Sequence, residues 1–256
     1  MLEHILGIIR SAGEKMLSYD RFEVYQKEGH ANFVTQADME VQAFLLDKLR
    51  EAVPEAAFFA EEKENEALTE GLTFVIDPID GTTNFMRGRR CSSISVALLK
   101  DRQPILGAIF NPYANELFSA EKGKAAFLNG KPIHVSNQGF SNALVSIGTS
   151  PYDAELAKKT MRAAERFLLM AGDLRRTGSA AIDLCDVACG RSDIFWEMKL
   201  SPWDFAAGAL LITEAGGMIG CPGKGPLHFD HRTPVLAANP LCFAQAEALL
   251  LSVQAE

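Results

Sequence analysis

Four short apolar runs, separated by turn-forming residues, constrain the fold of this chain more than any other feature. They cover residues 72–76, 93–99, 104–110 and 116–120, and the breaks between them contain turn formers such as Asp101-Arg102 and Asn111-Pro112. Runs of this length and spacing are typical of strands that pair with their neighbours along the chain. We therefore predict an antiparallel meander in the first half of the chain.

Helical patterns flank this meander. Apolar residues recur every three or four positions over 2–16 and again over 41–49, which predicts two opening helices. After residue 152 helix and strand patterns alternate, which favours a second α/β unit. The predicted elements of this unit are helices near 153–170 and 179–189, a strand near 193–197, a helix after Ser201, a strand at 234–238 and a closing helix. A polar stretch beginning at Ser136 separates an N-terminal α+β lobe, residues 1–136, from a C-terminal α/β lobe, residues 137–256.

Length and charge limit the class of function. Of the 256 residues, 48% are hydrophobic, so the chain can bury roughly three-quarters of its unfolded surface in a large core. The formal net charge of -8 argues against nucleic acid or an anionic membrane as the main partner. No segment has the length and apolar character of a membrane span, and the N-terminus lacks a signal peptide's basic start. The five cysteines contain no CxxC pair, so we expect reduced thiols in a cytoplasmic protein.

The segment Asp77-Pro78-Ile79-Asp80-Gly81 directly follows the first apolar run, so two carboxylates stand at the end of a predicted strand. Pro78 restricts the backbone before it and Gly81 permits a tight turn, so the pair can be rigid. Rigid carboxylates suit Mg²⁺, which prefers oxygen ligands and is often held by a few carboxylates together with substrate phosphate. The same residue types also form ordinary turns, so a metal site and a plain turn both remain open from this segment alone.

Two further acidic segments could complete a metal site. Glu61-Glu62 follows an apolar run at 57–59 and would end a neighbouring strand, although it belongs to an acidic run, and such runs usually face water, so this segment alone favours a solvated loop. Asp204 lies three residues after Ser201 at the start of an apolar helix, where it could be the acidic partner in a capping box. The two roles of Asp204 are compatible, because a carboxylate in the first turn of a helix can also face a cleft.

Taken together and in order, these segments resemble the inositol monophosphatase family of Mg²⁺-dependent, lithium-sensitive phosphatases. The similarity covers nearly the whole chain and is carried by residues 32–38, 61–62, 77–85, 122–130 and 203–217. It implies an α+β protein with a layered α-β-α-β-α sugar-phosphatase fold, usually a homodimer, with metal ions in a cleft between its lobes.

The resemblance implies two to three Mg²⁺ ions per subunit. Glu61, Asp77 and the main-chain carbonyl of Ile79 would hold one ion. Asp77, Asp80 and Asp204 would hold a second. Metal clusters of this kind suit phosphate esters, because they activate water and neutralise developing charge.

The resemblance also implies roles in catalysis for residues near these ligands. A third, weaker ion would depend on Glu61 and on waters organised by Asp38. Thr82, with Glu61 or Asp38 behind it, would orient the attacking water. Backbone N–H groups of Gly81 and Thr82 would donate to the phosphate if a helix begins there.

The substrate implied by the resemblance is a small phosphorylated polyol or sugar, with inositol 1-phosphate as the first candidate. Glu197, at the end of a predicted strand, would accept hydrogen bonds from its hydroxyls, although a surface glutamate would fit the same position. Ser179 and Ala180 would line the polyol, and Asp204 would contact it as well. A sugar bisphosphate such as fructose 1,6-bisphosphate is the alternative, because a guanidinium group pairs well with a second phosphate. The cations that would make this contact are Arg175, Arg176 and Lys199.

Two positions bear on how closely the chain follows the family. Asn32 stands where many relatives have Asp, which predicts weaker occupancy of the third metal and altered lithium sensitivity. Lys27 matches a basic residue of the family, although an exposed loop lysine is the commoner interpretation. Some relatives are protein partners in bacterial transcription complexes, so a noncatalytic role is the alternative from a different class. The joint presence of all the metal ligands favours catalysis.

Overall fold

The structure is a computed structural model, and it describes residues 1–27, 33–65, 67–68 and 70–254. Within these ranges the chain forms seven α-helices and fourteen strands. The helices are α1 (Leu2–Leu17), α2 (Gln36–Ala52), α3 (Thr82–Met86), α4 (Ala154–Met170), α5 (Ala180–Ala188), α6 (Pro202–Glu214) and α7 (Phe243–Gln254). The strands are β1 (Val24–Gln26), β2 (Phe33–Thr35), β3 (Ala57–Ala60), β4 (Leu72–Asp80), β5 (Ser93–Lys100), β6 (Gln103–Asn111), β7 (Glu116–Glu121), β8 (Ala125–Leu128), β9 (Lys131–Ile133), β10 (Leu144–Ile147), β11 (Asp173–Arg175), β12 (Ile194–Leu200), β13 (Met218–Gly220) and β14 (Thr233–Ala238).

A seven-stranded sheet contains β3 to β9 in chain order. Strand β3 pairs parallel with β4, and every later neighbour pairs antiparallel. The four apolar runs become β4 to β7, which confirms the predicted meander. The strands β1 and β2 form a separate antiparallel pair ahead of this sheet.

A five-stranded sheet has the order β11-β10-β12-β14-β13. Strand β10 pairs parallel with β11 and with β12, whereas β14 pairs antiparallel with β12 and β13. The predicted strands near 193–197 and at 234–238 are confirmed as β12 and β14. The sequence patterns do not predict β10, β11 or β13, which have only three or four residues each.

Helices cover both faces of the seven-stranded and of the five-stranded sheet, so the described chain has the predicted α-β-α-β-α layers. In β4, Phe74 and Ile76 face the core shared with α1 and α2, whereas Val75 faces the core shared with α5 and α6. This second core also contains Phe195 and Val235 of the five-stranded sheet. The helices α4 and α7 pack on the outer face of that sheet. Because α5 and α6 share one core with both sheets, the division into two lobes near residue 136 stays a prediction.

The central helix α6 lies unusually close to the large sheet, because β6 has no side chain at the crossing. A Cβ added to Gly107 would lie 2.7 Å from the carbonyl oxygen of Ala207 in α6. This close approach fixes the position of α6, whose first turn carries Asp204. None of the helices in the described part of the chain is long and apolar enough to cross a membrane.

Candidate active site

A β-bulge in β4 brings Asp77 and Asp80 to the same side of the sheet. Asp77 pairs with Ser95 and Asp80 with Ser93, so three steps along β4 match two steps along β5. In a regular strand, residues three apart would point to opposite faces, and the extra residue of a bulge changes that direction. Pro78 lies inside the bulge, which is one of the few positions where a strand tolerates its missing N–H.

Asp204 reaches the same place from the first turn of α6. Its carboxylate accepts a hydrogen bond from the backbone N–H of Ser201 at 2.7 Å, which is one half of the predicted capping box. Carboxylate oxygens of Asp77, Asp80 and Asp204 all lie within 4.8 Å of one another. We call these three residues the acid cluster.

Hydrogen bonds from several elements hold the acid cluster in position. Asp77 Oδ1 accepts from the backbone N–H of Ile79 at 3.0 Å. Asp80 Oδ2 accepts from the Ser179 hydroxyl and, at 2.8 Å, from the backbone N–H of Ala181 in α5. Donors at the start of α5 thus hold Asp80, a donor at the start of α6 holds Asp204, and β4 itself holds Asp77.

The electrostatics of the acid cluster fit a divalent cation. Burial, followed by the negative charges of Glu61 and of the other cluster members, raises the pKa of Asp77 and of Asp204 well above the usual range. The pKa of Asp80 is also raised, mainly by burial. Among the described residues no lysine or arginine forms an ion pair with any of the three. When ionised, carboxylates so close together carry a negative charge that a hard cation with oxygen ligands, such as Mg²⁺, would neutralise.

Glu61 lies beside this cluster, at the end of β3. Because Ala60 is opposite Ile76 in the parallel pair, Glu61 leaves its strand at the level of Asp77. The Glu61 carboxylate pairs with Lys27 Nζ at 3.1 Å, and the same ammonium group pairs with Glu62. Glu61 lines the same cavity as the cluster, although it is not part of the 4.8 Å group. The Lys27 contact therefore places this lysine at the site rather than in a solvated loop.

Thr82 and Asp38 form a second polar unit next to the acid cluster. The Thr82 hydroxyl lies 3.1 Å from Asp38 Oδ1 and 3.2 Å from the carbonyl oxygen of Ile79. Asp38 also accepts from the backbone N–H of Thr35 at 2.8 Å, as the acidic partner in a capping box at the start of α2. Burial raises the pKa of Asp38 to about 6, against the lowering effect of the hydrogen bonds from Thr35. Helix α3 begins at Thr82, directly after Gly81, whose φ of 88° is the left-handed conformation that favours glycine.

The acid cluster opens into a cavity of about 560 Å³ that lies between the two sheets. Most of the residues predicted from the sequence line this cavity, and Asp38 reaches it through Thr82. The predicted residues in the lining are Glu61, Asp77, Ile79, Asp80, Gly81, Thr82, Arg176, Ser179, Ala180, Glu197, Lys199 and Asp204. Arg175 is not among them, because its guanidinium group points to the surface and pairs with Asp173. Asn32 lies outside the described residues.

Glu197 lines the cavity from β12. Its Oε1 accepts hydrogen bonds from the backbone N–H and the hydroxyl of Ser150, at 3.1 and 3.3 Å. Burial raises the pKa of Glu197 to about 7, and the two bonds from Ser150 act in the opposite direction. The site therefore contains a half-buried carboxylate that is separate from the acid cluster and has its own hydrogen-bond donors.

The cavity also contains residues that sequence reasoning missed. Arg232 lines it and donates from Nε to the Ser201 hydroxyl at 3.0 Å. Gly148, Ser150 and Tyr152 line it from the loop between β10 and α4. None of these residues belongs to a recognisable local motif, so only the tertiary structure identifies them.

Comparisons with known proteins agree on one family. The model of the inositol monophosphatase family matches residues 1–254. The chain is 38% identical over 232 residues to inositol monophosphatase 2 of Solanum lycopersicum, covering 85% of this chain and 87% of that protein. It is 36% identical over 221 residues to a protein named Nus factor SuhB from Xylella fastidiosa, covering 84% of this chain and 79% of that protein. Among solved structures, an IMPase from Thermotoga maritima superposes with a TM-score of 0.90 at 30% identity, over 99% of this chain and 98% of that one.

Proposed function

Because this chain belongs to the inositol monophosphatase family, whose named relatives include phosphoric monoester hydrolases, we propose that it is a Mg²⁺-dependent phosphatase acting on inositol monophosphate. The observation that carries this proposal is the acid cluster, in which three aspartates lie within 4.8 Å of one another and form no ion pair with a lysine or arginine in the described part of the chain. A homodimer, a cytoplasmic location and lithium sensitivity stay predictions from the sequence.

The residues that would hold Mg²⁺ are the acid cluster, the carboxylate of Glu61 and the carbonyl oxygen of Ile79. When bound, Mg²⁺ would activate water and neutralise charge on the phosphate, which is the chemistry that phosphate-ester hydrolysis needs. Lys27 contacts Glu61 through Oε1, so Oε2 would be the oxygen that Glu61 offers to a cation. Two to three ions per subunit is the number we propose.

The residues that would orient the attacking water are Thr82 and Asp38. A hydroxyl that donates to Asp38 can accept a hydrogen from water with its own oxygen, so Thr82 would present the water oxygen to the phosphorus. The raised pKa of Asp38 makes it a stronger proton acceptor than an exposed aspartate, and Glu61 is the second candidate acceptor. Gly81 and Thr82 would contact the phosphate through their backbone N–H groups.

The side of the cavity away from the phosphate would recognise hydroxyl groups. Glu197 offers a half-buried acceptor, and Ser179 and Ala180 line the cavity from the start of α5. Arg176 and Lys199 line the same cavity and would bind a second phosphate. Arg232 also lines it and would make the phosphate contact that was predicted for Arg175. These cations keep fructose 1,6-bisphosphate as the alternative substrate.

The test is phosphate release from inositol 1-phosphate, fructose 1,6-bisphosphate, glycerol phosphates and 3′-phosphoadenosine 5′-phosphate, with Mg²⁺ and with EDTA. We expect Mg²⁺-dependent release with the highest kcat/KM for inositol 1-phosphate, and a loss of at least ~100-fold in Asp80→Asn. Asp47→Asn, at an exposed position of α2, is the matched control. A preference for the bisphosphate that disappears in Arg176→Ala/Lys199→Ala would favour the alternative substrate.

A noncatalytic role is the second candidate, because some relatives carry the name Nus factor SuhB. The acid cluster separates the two candidates, since a protein that only binds a partner has no chemical need for buried, unbalanced carboxylates. Absence of phosphate release from every substrate, with folded protein and saturating Mg²⁺, would contradict the phosphatase proposal and favour the partner role.

A further inference from the structure

The Glu197 carboxylate lies in a space that exists only because residue 148 is glycine. A Cβ added to Gly148 would lie 1.8 Å from Glu197 Oε2 and 2.1 Å from its carboxyl carbon. Gly148 does not have the left-handed φ that would make glycine necessary for the backbone. The absence of a side chain at this position therefore serves the neighbouring carboxylate.

Ser150 holds the same carboxylate from the other end of the loop. It has a φ of 40°, in the left-handed region that non-glycine residues seldom adopt, and it is only 4% exposed. In this conformation both its backbone N–H and its hydroxyl donate to Glu197 Oε1. A strained residue that persists at the edge of a site is commonly fixed there for function, and here the conformation turns two donors toward one oxygen.

The strand pairing explains why this loop meets Glu197. Strands β10 and β12 run parallel, with Ile147 opposite Trp196. The next residue along each chain, Gly148 and Glu197, therefore lies at the same level. Gly148 follows Ile147 and donates its N–H to the carbonyl oxygen of Trp196 at 3.0 Å. This hydrogen bond holds the backbone of Gly148 against β12, and the Glu197 carboxylate packs directly on it.

We propose that Gly148 and Ser150 are positioning residues that fix the Glu197 carboxylate for recognition of substrate hydroxyls, and so set the preference for hydroxyl-bearing phosphate monoesters. This inference rests on the proposed phosphatase function. Ser150 occupies Oε1, while Oε2 makes no hydrogen bond to a residue in the described ranges and remains available as an acceptor. The donors from Ser150 also favour the ionised carboxylate, since hydrogen bonds to the charged form offset part of its burial.

The decisive variant is Gly148→Ala, because the new methyl group would occupy the position of the carboxylate and displace a flexible side chain rather than backbone. We expect the ratio of kcat/KM for inositol 1-phosphate to that for phenyl phosphate, which has no hydroxyl, to fall about tenfold. The change should come mainly from KM for inositol 1-phosphate. Ser150→Gly keeps the backbone donor and loses the hydroxyl, so the same ratio should fall by only about threefold.

A double-variant cycle tests whether Gly148 acts through Glu197. Gly148→Ala should lower the ratio about tenfold in the wild-type background and leave it unchanged in a Glu197→Ala background, where no carboxylate remains to be displaced. Gly139→Ala is the matched control, since its Cβ would meet no atom within 4 Å. Thermal unfolding of each variant separates a local effect from a loss of folded protein, and Ser150→Gly provides the test if Gly148→Ala is poorly folded.

The outcomes separate this inference from the function on which it rests. If the wild-type protein is active and both Gly148→Ala and Ser150→Gly have the wild-type ratio of kcat/KM values, the positioning role alone is overturned. An equal fall of the ratio in the Glu197→Ala background would also overturn it, because the glycine would then act through another group. Wild-type protein without Mg²⁺-dependent phosphate release would overturn the proposed function and this role with it.

Discussion

Thr82 is the residue whose hydroxyl connects Asp38 with the carbonyl oxygen of Ile79, which lies in β4 between Asp77 and Asp80. Its contacts with Asp38 Oδ1 and with the carbonyl oxygen of Ile79 leave the hydroxyl oxygen able to accept a hydrogen from water. We expect Thr82→Ala to lower kcat for phosphate release about 100-fold with little change in KM, because the loss concerns the water and not the substrate. Steady-state kinetics at saturating Mg²⁺ measures both parameters.

Two substitutions at the same position serve as controls. Thr82→Ser keeps the hydroxyl and should restore kcat to within several-fold of the wild type. Thr82→Val keeps the shape of threonine without its hydroxyl and should resemble Thr82→Ala. If Thr82→Val retained full activity, the hydroxyl would have no part in orienting water.

Single residues differ in how far the sequence reveals them. Asp77, Asp80 and Asp204 could be predicted, because each follows a local signal: an apolar run that ends in acids, or a cap ahead of an apolar helix. Ser150 could not, because its bonds to Glu197 join residues 47 positions apart. That contact depends on the parallel pairing of β10 with β12, and the four residues of β10 give too short a pattern to predict a strand.

At the scale of elements, the long strands and helices follow from their apolar periodicity, whereas the distance between them does not. Helix α6 is buried along most of its length and its hydrophobic residues do not indicate which sheet it approaches. The approach is set by Gly107 in β6, since any side chain there would meet the backbone of α6. The sequence places this glycine inside a predicted strand, but it does not predict that α6 crosses the strand at this position.

The crossing of α6 over β6 gives a prediction for Gly107→Ala. The nearest obstacle to the new methyl group is the carbonyl oxygen of Ala207 at 2.7 Å, so the helix backbone has to move. We expect the free energy of unfolding to fall by about 1–3 kcal/mol, which is typical of overpacking, as measured by urea denaturation. The affinity for Mg²⁺ should fall as well, because α6 carries Asp204.

A second glycine provides the control for this prediction. Gly7 lies in α1, and a Cβ there would meet no atom within 4 Å. Gly7→Ala should therefore raise the free energy of unfolding by roughly 0.5–1 kcal/mol, since alanine is the better helix former. Gly107→Ala protein as stable as the wild type would show that α6 can retreat from the sheet without cost.

At the scale of the whole molecule, buried acids set how stability depends on pH. Burial raises the pKa of each acid-cluster member, and it also raises the pKa of Asp183 well above its usual range. The acids whose pKa is lowered, such as Glu155 and Asp173, are exposed and contribute little. In the unfolded chain aspartate titrates near ~3.9, so between that pH and the raised pKa the folded state holds more protons than the unfolded state. The free energy of unfolding of the metal-free protein should therefore decrease as the pH rises through this window.

Mg²⁺ should oppose this dependence, because it binds the ionised carboxylates that burial disfavours. At a free concentration of 100 times its Kd, a ligand specific for the folded state adds about 2.7 kcal/mol of stability. We expect a gain of this size at pH 8 and a smaller gain at pH 5.5, where protons compete for the same oxygens. Urea denaturation with EDTA or with Mg²⁺, at pH 5.5 and at pH 8, measures the difference. In Asp204→Asn the free energy of unfolding should fall less as the pH rises, and it should gain less from Mg²⁺. An equal or larger gain at pH 5.5 would mean that the cation stabilises the fold elsewhere than at the acid cluster.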